Sequence, residues 1–163
     1  MREETVAAGR PGVAGGEAGE DQEFLARGIE AVPDAVLVKD ERHRFVLLNS
    51  AFARLMGRAA PTLLGHTDFD FVPPEEAGLF WRIDEEVLAS GGPHENREIL
   101  TDAAGRQHHL VARKSLVVAP GGRRYIVAAV VNHANAARAA PALDYLVQWV
   151  YEEAGHYDRA LRR

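Results

Sequence analysis

The pattern of apolar and polar positions predicts a sequence of short elements. Phe24, Leu25, Ile29 and Val32 recur at helical spacing after a capping Asp21, and Pro33 ends that helix because the residue before proline avoids helical angles. Ala35–Lys39 and Phe45–Leu48 are apolar, β-rich runs separated by a polar turn at Asp40–His43, which reads as a hairpin. Asn49 and Ser50 then cap a short helix carrying Phe52, Leu55 and Met56, closed by Gly57. Pro61–Leu64 supplies one further turn, and Gly65–Pro74 a loop with two aromatic residues. Pro74, Glu75 and Glu76 suit the first turn of a longer helix whose buried stripe is expected at Leu79, Phe80, Ile83 and Val87. The segment Ser90–Pro93 stops it. Three strands follow, at His94–Asp102, Gln107–Val118 and Arg124–Asn132, with glycine in both turns. From Pro141 a last helix carries Leu143, Leu146, Val150, Tyr157 and Leu161 on one stripe, widened by Val147 and Tyr151.

This order predicts an α+β fold. A five-stranded antiparallel sheet has its helices gathered on one face, flanked by an N-terminal helix and a C-terminal amphipathic helix. Sheet and helices enclose a pocket between them. Residues 1–20 contain five glycines and no Leu, Ile or aromatic residue. They bury too little apolar surface to offset ordering entropy, and read as a flexible acidic tail. The organisation expected is a tail at 1–20, a domain at 21–134 and a terminal helix at 135–163.

Composition narrows the functional classes. The chain has 163 residues, which corresponds to one domain. It has no cysteine, which excludes a disulfide scaffold, a thiolate zinc site, an iron–sulfur cluster, a cysteine nucleophile and a cysteinyl–flavin adduct. A net charge of −5 gives no global basic field for nucleic acid or an anionic membrane. The apolar runs are shorter than the ~20 residues a membrane helix needs. The N-terminus begins MREET, without the apolar core of a secretory signal, so the expected location is cytoplasmic.

The stretch from Phe24 to about Ala134 resembles a PAS domain, the small sensor module of bacterial and eukaryotic signalling proteins. Ala31–Asp40 (AVPDAVLVKD) resembles the approach to the family's first strand. Arg44–Gly57 (RFVLLNSAFARLMG) is similar to its second strand, asparagine and short helix. Leu64–Pro74 (LGHTDFDFVPP) resembles the loop before the long helix, and Arg97–Val117 the third and fourth strands. The resemblance implies a sensor that binds a small ligand or cofactor, with haem, flavin or a small metabolite as the classes in view. It also implies homodimerisation through terminal helices and a signalling protein as partner. Three departures stand out. The helix Pro74–Ser90 contains no histidine, although several haem-binding relatives take their axial ligand from it. His109 occupies a position where many relatives carry an aromatic residue. Asn132, His133 and Ala134 stand where many close the last strand with Asp-Ile-Thr.

The candidate pocket residues are His109, Trp81, Phe69, Arg97, Arg113 and His66. Histidine ligates haem iron, although none of the seven histidines sits in an H-x-x-x-H or HExxH pattern. His108 and His109 are adjacent on a strand, so they face opposite sides and cannot share one metal. His109 is weighed against a polar strand residue bonded to backbone or water, and His66 against a solvated loop residue. Arg97 or Arg113, if inward, would hold a carboxylate or phosphate. Trp81 and Phe69 would stack on a flat cofactor or simply belong to the core. Asp68 and Asp70 are weighed as an acid–base pair against backbone caps.

Three readings are therefore carried forward. The first is a non-enzymatic sensor that shifts population on binding. The second is a ligand-free interaction scaffold. The third is a small cone-shaped enzyme of isomerase or hydratase type using Asp68 or Asp70 with His109. No output module is legible after residue 134. A complete chain would be stand-alone, and in a longer protein the helix at 141–161 would be a linker.

Overall fold

The structure is a computed structural model, and it describes residues 27–119 and 121–131. The tail at 1–20, most of the predicted helix at 21–32 and the helix expected from Pro141 fall outside that range. Helical residues 27–30 are the described part of the first helix.

Strands β1 (Ala35–Asp40) and β2 (Phe45–Leu48) come first. Helices α1 (Ser50–Met56) and α2 (Ala60–Leu63) follow, then a 3-10 turn at Asp68–Asp70 and helix α3 (Pro74–Ser90). Strands β3 (His94–Thr101), β4 (Gln107–Val118) and β5 (Arg124–Val131) complete the sheet. Its order is β2-β1-β5-β4-β3, with every neighbouring pair antiparallel. This is the α+β architecture expected from the pattern. β5, the last strand, is central, and its burial follows from that position. Ile126, Ala128 and Val130 face one way and Val127 and Ala129 the other, and all five are buried.

Local chemistry fixes the element ends. Gly57 closes α1 at φ 67°, and its N–H donates to the carbonyls of Ala53 and Arg54. Pro74 opens α3 without losing a helical hydrogen bond, and Glu75 and Glu76 complement the dipole. On β2 the register shifts opposite Val38 and Lys39, which leaves Val46 unpaired and exposed. The shift turns Phe45 inward, where it is 1% exposed beneath Lys39.

Helices α1, α2 and α3 cover one face of the sheet, while Ile29 of the first helix packs with Val36 and Ala129 on the other. Leu37, Phe45, Phe52, Met56, Leu63, Phe80, Leu100 and Leu110 form the main core with smaller neighbours. The buried stripe of α3 is Ala77, Phe80, Asp84, Val87 and Leu88. The stripe expected from hydropathy is thus only half right: Phe80 and Val87 are in it, whereas Leu79 is 49% exposed. The helix is turned so that an acid faces the sheet. What makes that orientation tolerable lies on the strands opposite.

Candidate functional site

Several elements beside the interior contribute a charged side chain at a position where period alone would call for an apolar one. β1 brings Lys39 inward, two residues after Leu37. β4 brings Lys114 inward, in line with Leu110 and Ala112. α3 contributes Asp84, one turn after Phe80. Asp68 comes from the 3-10 turn, and Glu98 from β3. The β1–β2 turn adds His43.

These groups form one ion network. Lys39 Nζ lies 2.6 Å from Asp68 Oδ2 and 2.8 Å from Asp84 Oδ2. Lys114 Nζ lies 2.9 Å from Asp84 Oδ1 and 2.9 Å from Glu98 Oε1. Asp84 therefore bridges both lysines, one through each carboxyl oxygen. Its Oδ2 also lies 3.4 Å from His43 Nδ1, while His43 Nε2 lies 2.7 Å from Glu85 Oε1. The ammonium of Lys39 stands 5.3 Å from the ring centre of Phe45, and that of Lys114 5.7 Å from Phe80. Such charges are tolerated in a dry interior only with partners on every side.

The electrostatics follow from that pairing. Burial is the largest single influence on Lys39 and favours loss of its proton. The charges of Asp68 and Asp84 and the bonds to them outweigh burial, and hold the ammonium above the usual lysine range. Burial likewise acts most strongly on Asp84, and favours the neutral acid. The charge of Lys39, the His43 bond and the charge of Lys114 overcome it and hold the carboxyl well below the usual range. Both groups are ionised at neutral pH.

The cavity left beside the network measures about 30 Å³. Lys39, Lys114, Asp68, Asp84 and Glu98 form its polar wall, and Leu37, Phe52, Phe80, Leu100, Leu110 and Ile126 are among its apolar lining. At roughly 10–15 Å³ per water, that is room for about two waters. Pockets for cofactors run to about 300–1,000 Å³.

None of the six residues singled out from sequence lines this cavity. His109 is exposed and sits opposite Ile99, on the sheet face away from Lys114. The inward member of the histidine pair is His108, whose Nε2 lies 2.9 Å from Asp102 Oδ2 at the β3–β4 turn. Arg97 is exposed and Arg113 half-buried, both on the outer face. His66 is exposed, 3.5 Å from Asp70 and edge-on to Phe71. Trp81 and Phe69 come nearer: Trp81 stacks on His43 at 4.1 Å, and Phe69, 48% exposed, meets Trp81 edge-on at 5.1 Å. Trp81 Nε1 is buried with no hydrogen-bond partner among the described residues.

The acid pair of the loop separates into two jobs. Asp70 caps, accepting from the backbone N–H of Thr67 at 2.9 Å. Asp68 is the buried partner of Lys39. It points inward while His109 points outward, so the acid–base pair required by the isomerase or hydratase reading is not brought together. Sequence reasoning missed Lys39, His43, Asp84 and Glu98. For Lys39, Asp84 and Glu98 the signal available was a charge in phase with the apolar positions of its own element; His43, in a turn, carried none.

Comparisons with known proteins place the chain in a family. The family model described as the PAS fold matches residues 29–139. Among solved structures, the PAS domain of Bordetella pertussis BvgS superposes with a TM-score of 0.60 at 22% identity, covering 79% of this chain and 98% of that one. A PAS domain from a two-component sensor histidine kinase gives 0.59 at 14% identity, over 71% and 99%. The Rhodobacter sphaeroides LOV protein gives 0.60 at 14% identity, over 74% and 71%. A curated relative, the uncharacterized protein y4lL of Sinorhizobium fredii, is 38% identical over 94 residues, which are 58% of this chain. The chain spans only 11% of that protein's length. No helix among the described residues is long and apolar enough to cross a membrane. With the sheet order in place and the family model matching more than half of its length, the chain belongs to the PAS family.

Proposed function

We propose that the chain is a sensory and signalling module whose interior is occupied by an ion network rather than by a bulky cofactor. Members of its family are sensory and signalling modules, and the similar structures include a PAS domain from a sensor histidine kinase and a LOV protein. The observation that carries the finer reading is the 30 Å³ cavity, walled on its polar side by four short ion pairs. Haem or flavin would have to displace those pairs and strand buried charge. A proton or a small polar ligand needs no such displacement. The freshly purified protein is expected to show only its 280 nm band, with no cofactor mass released on denaturation. A Soret band or flavin peaks would overturn the reading.

Relay belongs to the same proposal. A change in the network favours one packing of the terminal segments, and a signalling protein reads it in a cytoplasmic setting. The apolar stripe at 143–161 supports a homodimer formed through terminal helices. Light scattering is expected to give a dimer for the full chain and a monomer once 141–163 is deleted. An unchanged mass would count against the dimer.

A further inference from the structure

His43 stands where the buried cluster meets solvent, and its surroundings are unusual for a turn residue. Its φ is 60°, the left-handed region in which glycine or asparagine is the ordinary occupant. The imidazole does not close the turn. His43 N–H donates to the Asp40 carbonyl at 2.9 Å, Asp40 N–H to the Arg44 carbonyl at 3.0 Å, and the Asp40 carboxylate accepts from the N–H groups of Arg42 and Arg44. The ring nonetheless points inward and is 3% exposed, flat against Trp81.

Both ring nitrogens face carboxylates on α3: Nε2 meets Glu85 at 2.7 Å, and Nδ1 meets Asp84 at 3.4 Å. A neutral imidazole has one N–H and can donate to only one of them, whereas the protonated ring donates to both. Every neighbouring element presents charge. α3 presents Asp84 and Glu85, and β1 presents Lys39, which opposes protonation. Asp68 of the 3-10 turn lies one ion pair further through Lys39, and Lys114 of β4 and Glu98 of β3 lie beyond Asp84. Counted formally, two lysines face four carboxylates, Asp68, Asp84, Glu98 and the exposed Glu85, so one proton on His43 halves the cluster's negative charge. Glu85, its side chain 64% exposed, connects the ring to bulk water, which supplies and receives that proton.

We propose that His43 is a proton-sensing site: protonated, it clamps Asp84 and Glu85 together and holds α3 against the β1–β2 turn; neutral, it releases one of them. The inference rests on the reading of the ion network as the module's sensing interior, and names the proton as its ligand. Burial acts most strongly on the ring and resists charging. The bonds to Asp84 and Glu85 and the charge of Asp84 outweigh it, and the net displacement is upward from the ordinary histidine value. The clamp is therefore complete below about pH 6.5 and is lost as pH rises through the folded-state value.

Trp81 reports the change. In the full chain carrying Trp149→Phe, Trp81 is the single tryptophan. Its emission is expected to be quenched by the stacked imidazolium in acid. It should recover through one transition with a midpoint above about 6.5. His43→Asn tolerates the left-handed turn and should abolish the transition. Glu85→Gln, at an exposed carboxylate, should keep the fold and lower the midpoint by about one unit or somewhat less. A flat titration, a transition that survives in His43→Asn, or a midpoint unmoved by Glu85→Gln would overturn the inference. A cofactor band in the absorption spectrum would overturn the reading of the interior instead. A flat titration beside a clean spectrum would sink the proton site alone.

Discussion

Replacing Asp84 with leucine is expected to destabilise the domain by about 3 kcal/mol. For a domain of this size that is a fall in Tm of about 12 °C or more. The reasoning turns on what the substitution leaves behind. Asp84 is fully buried and, among the described residues, is the one carboxylate that touches both lysines. Without it, two buried ammonium groups and His43 lose a partner, and the small cavity beside them has room for only about two waters in its place. Removing one member of a buried pair costs about 3–5 kcal/mol because the remaining charge is uncompensated. Lys39 keeps Asp68 and Lys114 keeps Glu98, which holds the expected cost to the lower end. Leucine fills the space, so cavity formation does not confuse the result. Arg82→Gln, at an exposed position on the same helix and away from the network, is the control. A Tm within about 4 °C of the parent would mean that the network does not hold α3 to the sheet. The pH profile carries a second mark. Asp84 has a lowered folded-state pKa, so its contribution is present above about pH 4 and is lost as pH falls towards the folded value. The Asp84→Leu protein should show a flatter acid limb than the parent.

That network also marks the limit of what hydrophobic patterning makes legible. The strands and helices announce themselves because most of their inward positions are apolar, and the five strands lie where alternation and glycine turns place them. The same rule misplaces the site. It treats a charge as surface, so Lys39 and Asp84 drop out and Leu79 is drawn into the stripe of α3. A lone carboxylate in that stripe is implausible on transfer cost. Two lysines from strands 45 and 30 residues distant in sequence make it plausible, and that long-range pairing is not visible in any local window. His43 fails for a related reason. In the sequence it is one polar residue in a turn, and only the left-handed backbone and the carboxylates of α3 distinguish it. His109 drew attention through its place in the family pattern, but strand phase sets it on the outer face. The outer face, not the pocket, also receives Arg97 and Arg113.

Replacing Asn49 with alanine should cost about as much as the loss of Asp84, for a different reason. Asn49 was legible as a helix cap, and it does cap α1: Oδ1 accepts from Phe52 N–H at 3.0 Å. Capping alone is worth about 1 kcal/mol. The same oxygen accepts from Val36 N–H on β1, also at 3.0 Å. The amide nitrogen donates to the carbonyls of Ile29, Val32 and Asp34 at 3.0, 3.2 and 2.8 Å. A side chain 1% exposed thus ties the segment before β1 to both β1 and α1. Each buried group left without a partner costs about 1–3 kcal/mol, so the alanine variant should lose about 3 kcal/mol or more. The expected readouts are a lower denaturation midpoint and faster proteolysis near residues 27–34. Aspartate separates the two halves of the argument. It retains the acceptor for Val36 and Phe52, but turns a second oxygen towards three carbonyl oxygens. Asn49→Asp should therefore be about as unstable as Asn49→Ala at neutral pH. Its buried carboxyl would be pushed upward, so the deficit should shrink as pH falls and the acid protonates to donate again. Parent-like stability in Asn49→Asp would show that the bonds to Ile29, Val32 and Asp34 contribute nothing, and that capping α1 is all this residue does.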